Sequence, residues 1–207
     1  MSSRESSPSA TILSRHGGQS LRPFAETPDS SSLKLLFGIE RKTTCLDFSF
    51  HLTGRGGADL EKLVIPASKP IEDRVRRDEL WKNTCLEIFV GAAGKTSYLE
   101  LNLCPSGDWN VYAFDDYRVG MRTVAGVASP LVKHEASLNK DSFTWTARLA
   151  AEALPNPEVE ALLASRDLVM GVTAVLEYRS GVREYWALWH AGTKPDFHLR
   201  ESFKLAL

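Results

Sequence analysis

Apolar and polar side chains alternate in two-residue steps over several short stretches of this chain, and turns rich in Gly, Pro, Asn and Asp separate the stretches. From Thr84 to Val90, residues Thr84, Leu86, Ile88 and Val90 fall on one face and Cys85, Glu87 and Phe89 on the other. From Tyr98 to Leu103, the leucines Leu99, Leu101 and Leu103 share a face opposite Tyr98, Glu100 and Asn102. The linking GAAGKTS suits a hairpin, so the two strands are predicted to be antiparallel neighbours. Their aliphatic faces coincide only if Glu87 lies opposite Asn102 or Glu100, and repulsion between carboxylates selects Asn102. That register gathers Glu87, Glu100, Asn102 and Tyr98 on the face away from the leucines, with Trp81 just before and Trp109 just after. Without those tryptophans, the expectation for such a face is a solvated outer surface.

The same reading extends along the chain. LKLLFGIE and TTCLDFSFHL read as strands, the second with Leu46, Phe48, Phe50 and Leu52 opposite Cys45, Asp47, Ser49 and His51. GRGG reads as a loop, since it lacks the spacing and following helix of a phosphate cradle. A third central strand runs from Trp109 to Phe114 after a Pro-Ser-Gly-Asp turn. SFTWTARLA places Trp145 with Phe143, Ala147 and Leu149, hence in the core. DLVMGVTAVLEYR reads as a central strand buried on both faces. In EYWALWH, Tyr185, Ala187 and Trp189 alternate with Trp186, Leu188 and His190, so one tryptophan packs inward and the other faces a pocket. SFKLAL closes the fold. One short helix is expected, with Asn156 as N-cap and Pro157 at its first position. The fold class is therefore all-β, an antiparallel sandwich.

The chain has 207 residues, 43% hydrophobic and 25% charged, which suits one β domain. Residues 1–17 are rich in Ser and poor in apolar side chains and read as a disordered tail, leaving 18–207 as the domain. With 25 Lys and Arg against 26 Asp and Glu, the net charge is −1, which gives no reason to expect nucleic acid or an acidic membrane as partner. Cys45, Cys85 and Cys104 form an odd, dispersed set that points to a reducing compartment. With no apolar run long enough for an export signal or membrane span, the expected location is cytoplasmic.

The segments LWKNTCLEIFV, YLELNLCPSGDWNVYAFDDYRVGMR and YWALWHAGTKPDFHLRESFKL together resemble the DOMON-like group, which is related to the family-9 carbohydrate-binding modules. The resemblance runs from about Leu21 to Leu207. It implies an antiparallel β-sandwich that binds sugars or haem, in a group whose soluble bacterial members often have no assigned ligand. In the sugar-binding modules two tryptophans clamp the sugar and a glutamate stands six residues after the first. On that pattern Trp81 and Trp189 are the clamp and Glu87 the glutamate, with Glu100 and Asn102 on the neighbouring strand. Trp186 departs from the pattern, standing where the modules carry a hydrogen-bonding side chain. The haem-binding relatives use methionine, histidine or lysine as axial ligands, which here points to His190 and Met121.

The leading expectation is thus a non-catalytic domain that binds a saccharide or sugar-containing metabolite through Trp81, Glu87, Glu100, Asn102, Trp109, Trp189 and His190. Flat apolar rings suit the C–H faces of a sugar, and amide and carboxyl groups suit its hydroxyls. Haem b is the alternative. A third reading takes Glu87 and Glu100 as the carboxyl pair of a glycosidase, although one open sheet face is a poor place for such a pair. No nucleophile elbow, phosphate loop or zinc pattern is present, so no catalytic residue is assigned. Asp115 and Asp116 offer oxygen ligands to calcium, but they lack EF-hand spacing and read first as a solvated acidic turn. No cofactor is predicted.

Overall fold

The computed structural model describes residues 12–43, 45–127, 131–150 and 156–207. It has twelve strands: β1 (Ile12–Pro23), β2 (Lys34–Lys42), β3 (Cys45–Thr53), β4 (Cys85–Ala92), β5 (Tyr98–Leu103), β6 (Trp109–Phe114), β7 (Arg122–Thr123), β8 (Leu131–Leu138), β9 (Ser142–Ala150), β10 (Leu168–Glu177), β11 (Arg183–Ala187) and β12 (Leu205–Ala206). Two short helices accompany them, α1 (Gly57–Glu61) and α2 (Pro157–Leu163). The strands hydrogen-bond in the order β7-β6-β5-β4-β10-β11-β1-β2-β3-β9-β8, with β12 beside β10, and the ladders between them are antiparallel.

This continuous ladder becomes a sandwich because β1 belongs to both layers. Residues from Ile12 to Leu21 pair with β2, whereas Arg22 and Pro23 pair with Ala187 and Trp186 of β11. Within β1 the register slips between His16 and Gln19, where Gly18 has a φ of +66°. A bulge of this kind bends a strand and increases its twist, and glycine reaches that φ without a Cβ clash. The inner faces of the two layers share one core. Phe37, Phe48, Phe50 and Trp145 come from one side, and Leu86, Ile88, Leu101, Trp109, Val172 and Trp186 from the other.

The two layers differ in what lies outside them. Along β3 burial alternates, Leu46, Phe48, Phe50 and Leu52 pointing inward while the opposite face carries the Asp47–Arg148 and Asp47–Lys42 ion pairs. In the layer containing β4, β5 and β6, nearly every residue is buried on both faces. A second apolar cluster of Phe89, Tyr98, Tyr112, Phe114 and Phe203, joined by Trp81, Val169 and Phe197, covers the outer face. Gly171 admits this cover, since a Cβ there would lie 2.9 Å from the Phe203 ring. This face is therefore not the solvated surface of an arbitrary sheet, because non-strand segments around Trp81 and residues 195–203 pack over it.

Other expectations are met or adjusted locally. The predicted register is present, with Glu87 opposite Asn102. α2 starts as anticipated, the Val159 N–H donating to Asn156 Oδ1 at 3.4 Å. The GRGG loop instead leads into α1, so the described residues contain two α-helices rather than one. Of the expected tail, residues 1–11 lie outside the described residues, and residues 12–17 belong to β1, with Ile12, Ser14, Arg15 and His16 paired to β2. Among the described residues no helix is long and apolar enough to cross a membrane.

Candidate ligand-binding site

The covered outer face opens into a pocket of about 350 Å³. Its floor is the sheet itself. Glu87 from β4, Glu100 from β5 and Val175 from β10 line it, and Phe114 from β6 and Tyr185 from β11 stand at its sides. A single 3-10 turn, Leu80–Lys82, contributes Trp81 and Lys82. The segment after β6 supplies Arg118 and Met121, and the segment after β11 supplies Pro195, Phe197 and His198. Trp81 is fixed edge-on against Tyr112, with ring centres 5.7 Å apart. Tyr112 is in turn held by its hydroxyl, which donates to Asp78 Oδ1 at 2.8 Å.

The two walls formed by irregular segments are tied together by Asp196. It accepts hydrogen bonds from the Tyr117 hydroxyl, from Arg118 Nη2 at 2.9 Å and from the His198 N–H at 3.1 Å. Burial works against its charge, but the Tyr117 and Arg118 donors outweigh it and hold the carboxyl below its ordinary range.

Below the pocket, buried polar groups run across the strands. Thr173, Glu87, Asn102 and Asn110 stand opposite one another in successive strands. Cys85 Sγ donates to Asn102 Oδ1 at 3.5 Å, and Asn102 Nδ2 donates to Glu100 Oε1 at 2.6 Å. Glu87 Oε2 accepts from Thr173 Oγ1 at 3.4 Å, while Glu87 Oε1 is buried without a hydrogen-bond partner. Burial, and then the proximity of Glu100, push the Glu87 carboxyl far above its ordinary value. Burial likewise pushes Glu100 up to about 7, against the opposing effects of the Asn102 hydrogen bond and Arg118. At neutral pH the floor thus carries less than its formal two negative charges.

His198 is kept neutral. The Arg118 N–H donates to the Tyr98 hydroxyl at 3.2 Å, leaving the Tyr98 proton to be donated to His198 Nδ1 at 2.8 Å. The imidazole proton then resides on Nε2, 3.8 Å from Glu100 Oε2. Desolvation and Arg118 lower the histidine to about 4, and burial pushes the Tyr98 phenol up to about 12, so both stay uncharged.

The pocket contains Trp81, Glu87 and Glu100 of the expected residues, and Asn102 lies directly beneath it, orienting Glu100. The other three lie elsewhere. Trp109 is 1% exposed and belongs to the inner core, with the Arg76 guanidinium 4.6 Å from its ring centre. As the first residue of β6 it alternates with Asn110, so it shares the inward face with Val111 and Ala113. Trp189 is 54% exposed and is not among the pocket residues, because β11 ends at Ala187 and the alternation that aimed it at a pocket ends there too. Tyr185, from the same alternating set, takes the pocket position instead. His190 points its Nε2 at the Arg22 carbonyl, 2.9 Å away, and packs edge-on against Phe24.

The pairs considered for metals fare similarly. Of the two candidate haem ligands, Met121 lines the pocket and His190 stands outside its lining. Asp115 pairs with Arg122 Nη1 at 2.6 Å, and Asp116 Oδ1 caps the Tyr117 N–H. Among the described residues no group of three or more His, Cys, Asp or Glu is arranged to hold a metal ion.

Among the pocket residues that were not anticipated are Arg118, Tyr185, Phe197 and His198. Of these four, Tyr185 had a readable signal, its outward place in the EYWALWH alternation. The others stand on irregular segments where no periodicity tells inward from outward.

No protein-family model matches this chain, and no curated protein sequence matches it. Among solved structures it is similar to a Bacteroides uniformis crystal structure described as a "putative carbohydrate-binding protein". The TM-score is 0.57 at 14% identity, over 90% of this chain and 83% of that one. At that identity the likeness establishes a shared β-sandwich fold.

Proposed function

We propose that this chain is a non-catalytic binding domain whose ligand, a carbohydrate or sugar-containing metabolite, occupies the pocket over β4, β5, β10 and β11. One observation carries this reading: aromatic rings of Trp81, Phe114, Tyr185 and Phe197 stand around a floor of directed polar groups, Glu87 and Glu100. Rings offer a flat apolar surface to a sugar's C–H groups, and the carboxyls offer hydrogen bonds to its hydroxyls. The volume of about 350 Å³ is that of a small-molecule site. The shared fold with a protein described as carbohydrate-binding is consistent with this use of the surface.

Binding is favoured over glycoside hydrolysis by the placement of the two carboxyls. Hydrolysis needs an acid and a base or nucleophile on either side of the scissile bond. Glu87 and Glu100 rise from adjacent strands on the same face, so both lie beneath a bound ring.

Glycan-array screening followed by calorimetry on the best hit tests the proposal. Trp81→Ala and Tyr185→Ala are each expected to weaken that binding by at least about tenfold, the mark of a buried aromatic anchor. Undiminished binding in both variants, or no glycan bound by the folded protein, would refute it.

A further inference from the structure

Among the described residues no charged cation sits within ion-pair distance of the carboxyl pair on the pocket floor, and Arg118 acts on both carboxyls only from farther away. Glu87 is 3% exposed and its Oε1 is buried with no hydrogen-bond donor. Glu100, also 3% exposed, has Oε2 no nearer than 3.8 Å to His198 Nε2. The cationic side chains around them are committed or exposed. Arg118 is on Asp196 at 2.9 Å, Lys82 is on Glu79 at 2.6 Å, and Arg183 is solvent-exposed. The remaining titratable groups nearby, Cys85, Tyr98, Tyr112 and His198, are all kept uncharged by burial.

A neutral sugar supplies no positive charge to this floor. An ammonium group does, with several N–H donors in a compact volume for Glu87 Oε1 and Glu100 Oε2. The rings of Trp81, Phe114, Tyr185 and Phe197 favour the same guest, since the negative face of an aromatic ring attracts a cation. We propose that the pocket takes an amine-bearing ring, its ammonium group seated on Glu87 and Glu100. On the carbohydrate reading, on which this rests, the ligand is an amino sugar. Seating the cation ionises a carboxylic acid of the Glu87 and Glu100 pair, and the displaced proton passes to solvent.

Isothermal titration of the whole protein at pH 6 with glucosamine, glucose and cyclohexylamine, in two buffers of different ionisation enthalpy, tests this. Glucosamine should bind at least about 30-fold more tightly than glucose, with proton release, as expected when a buried charge pair gains its partner. Glu87→Gln keeps the shape of the side chain but removes its ability to ionise. It should lower glucosamine affinity by a similar factor without lowering the thermal midpoint. Equal binding of glucose and glucosamine without proton release would overturn the amine seat while leaving the carbohydrate reading intact. Binding of cyclohexylamine alone, with proton release, would support the seat and overturn the sugar. Failure of all three compounds, or unchanged glucosamine binding by Glu87→Gln, would overturn the seat.

Discussion

Replacing Glu100 with Gln should make the protein more stable at neutral pH and leave it unchanged in acid. Glu100 is 3% exposed, and burial lifts its carboxyl from the ordinary 4.5 to about 7 in the folded protein. Below about pH 4.5 both folded and unfolded chains are protonated, and this group adds no pH dependence. Between there and about pH 7 the unfolded chain ionises while the fold holds its proton, so the native state loses about 1.4 kcal/mol per pH unit. Above pH 7 the full penalty, up to about 3 kcal/mol, is in place. Glutamine carries no such penalty and its amide oxygen still accepts the Asn102 Nδ2 hydrogen bond that Glu100 Oε1 takes at 2.6 Å. Removing the Glu100 charge also relieves Glu87, whose carboxyl it helps to raise, and this acts in the same direction. Urea unfolding of both proteins at half-unit steps from pH 4 to 8.5 measures the difference. A gap that stays constant across that range would refute the claim that burial holds this carboxyl neutral.

Further substitutions separate core from pocket. Trp145→Ala, at a residue 0% exposed, should cost about 3–5 kcal/mol in urea unfolding, whereas Trp189→Ala, at 54% exposure, should change stability by no more than about 0.5 kcal/mol and leave ligand affinity untouched. Gly171→Ala brings a Cβ to 2.9 Å from Phe203 and should cost about 1–3 kcal/mol, read as a lowered thermal midpoint. Asp196→Asn keeps the shape but loses the charge that binds Tyr117 and Arg118. Amide hydrogen exchange should accelerate at Arg118 and His198 and stay unchanged in β9. Because the Asp196 carboxyl is held low, its stabilising effect is present above the ordinary carboxylate range and lost as pH falls through the lowered value.

Pairing register and layer faces were legible because a strand has only two sides. A slip of one residue would have turned Leu99, Leu101 and Leu103 out of the core, and the need to bury them placed Glu87 against Asn102. The same rule misdirected Trp189, since alternation carries information only while the strand continues, and here it stops at Ala187. Trp109 was misread for a related reason: its place beside the polar motif in sequence hid its inward place in β6. The cover over β4 and β5 was beyond reach, because residues 195–203 carry no repeating pattern and Phe203 contacts Gly171 only through the folded sheet. A pocket whose polar floor comes from strands and whose walls come from irregular chain is thus half readable from sequence.

The dual membership of β1 sets the order in which this protein can be assembled. During synthesis β1, β2 and β3 leave the ribosome before the other strands and can pair among themselves as a meander of near neighbours. Arg22 and Pro23 must wait for β11, made almost a whole domain later, and the pairing of β4 with β10 and of β10 with β11 falls at the same stage. Such distant pairings make for slow folding. The nascent chain therefore carries an open sheet edge at β4 until β10 has been made, and an unpaired edge of this kind is a template for pairing with other chains.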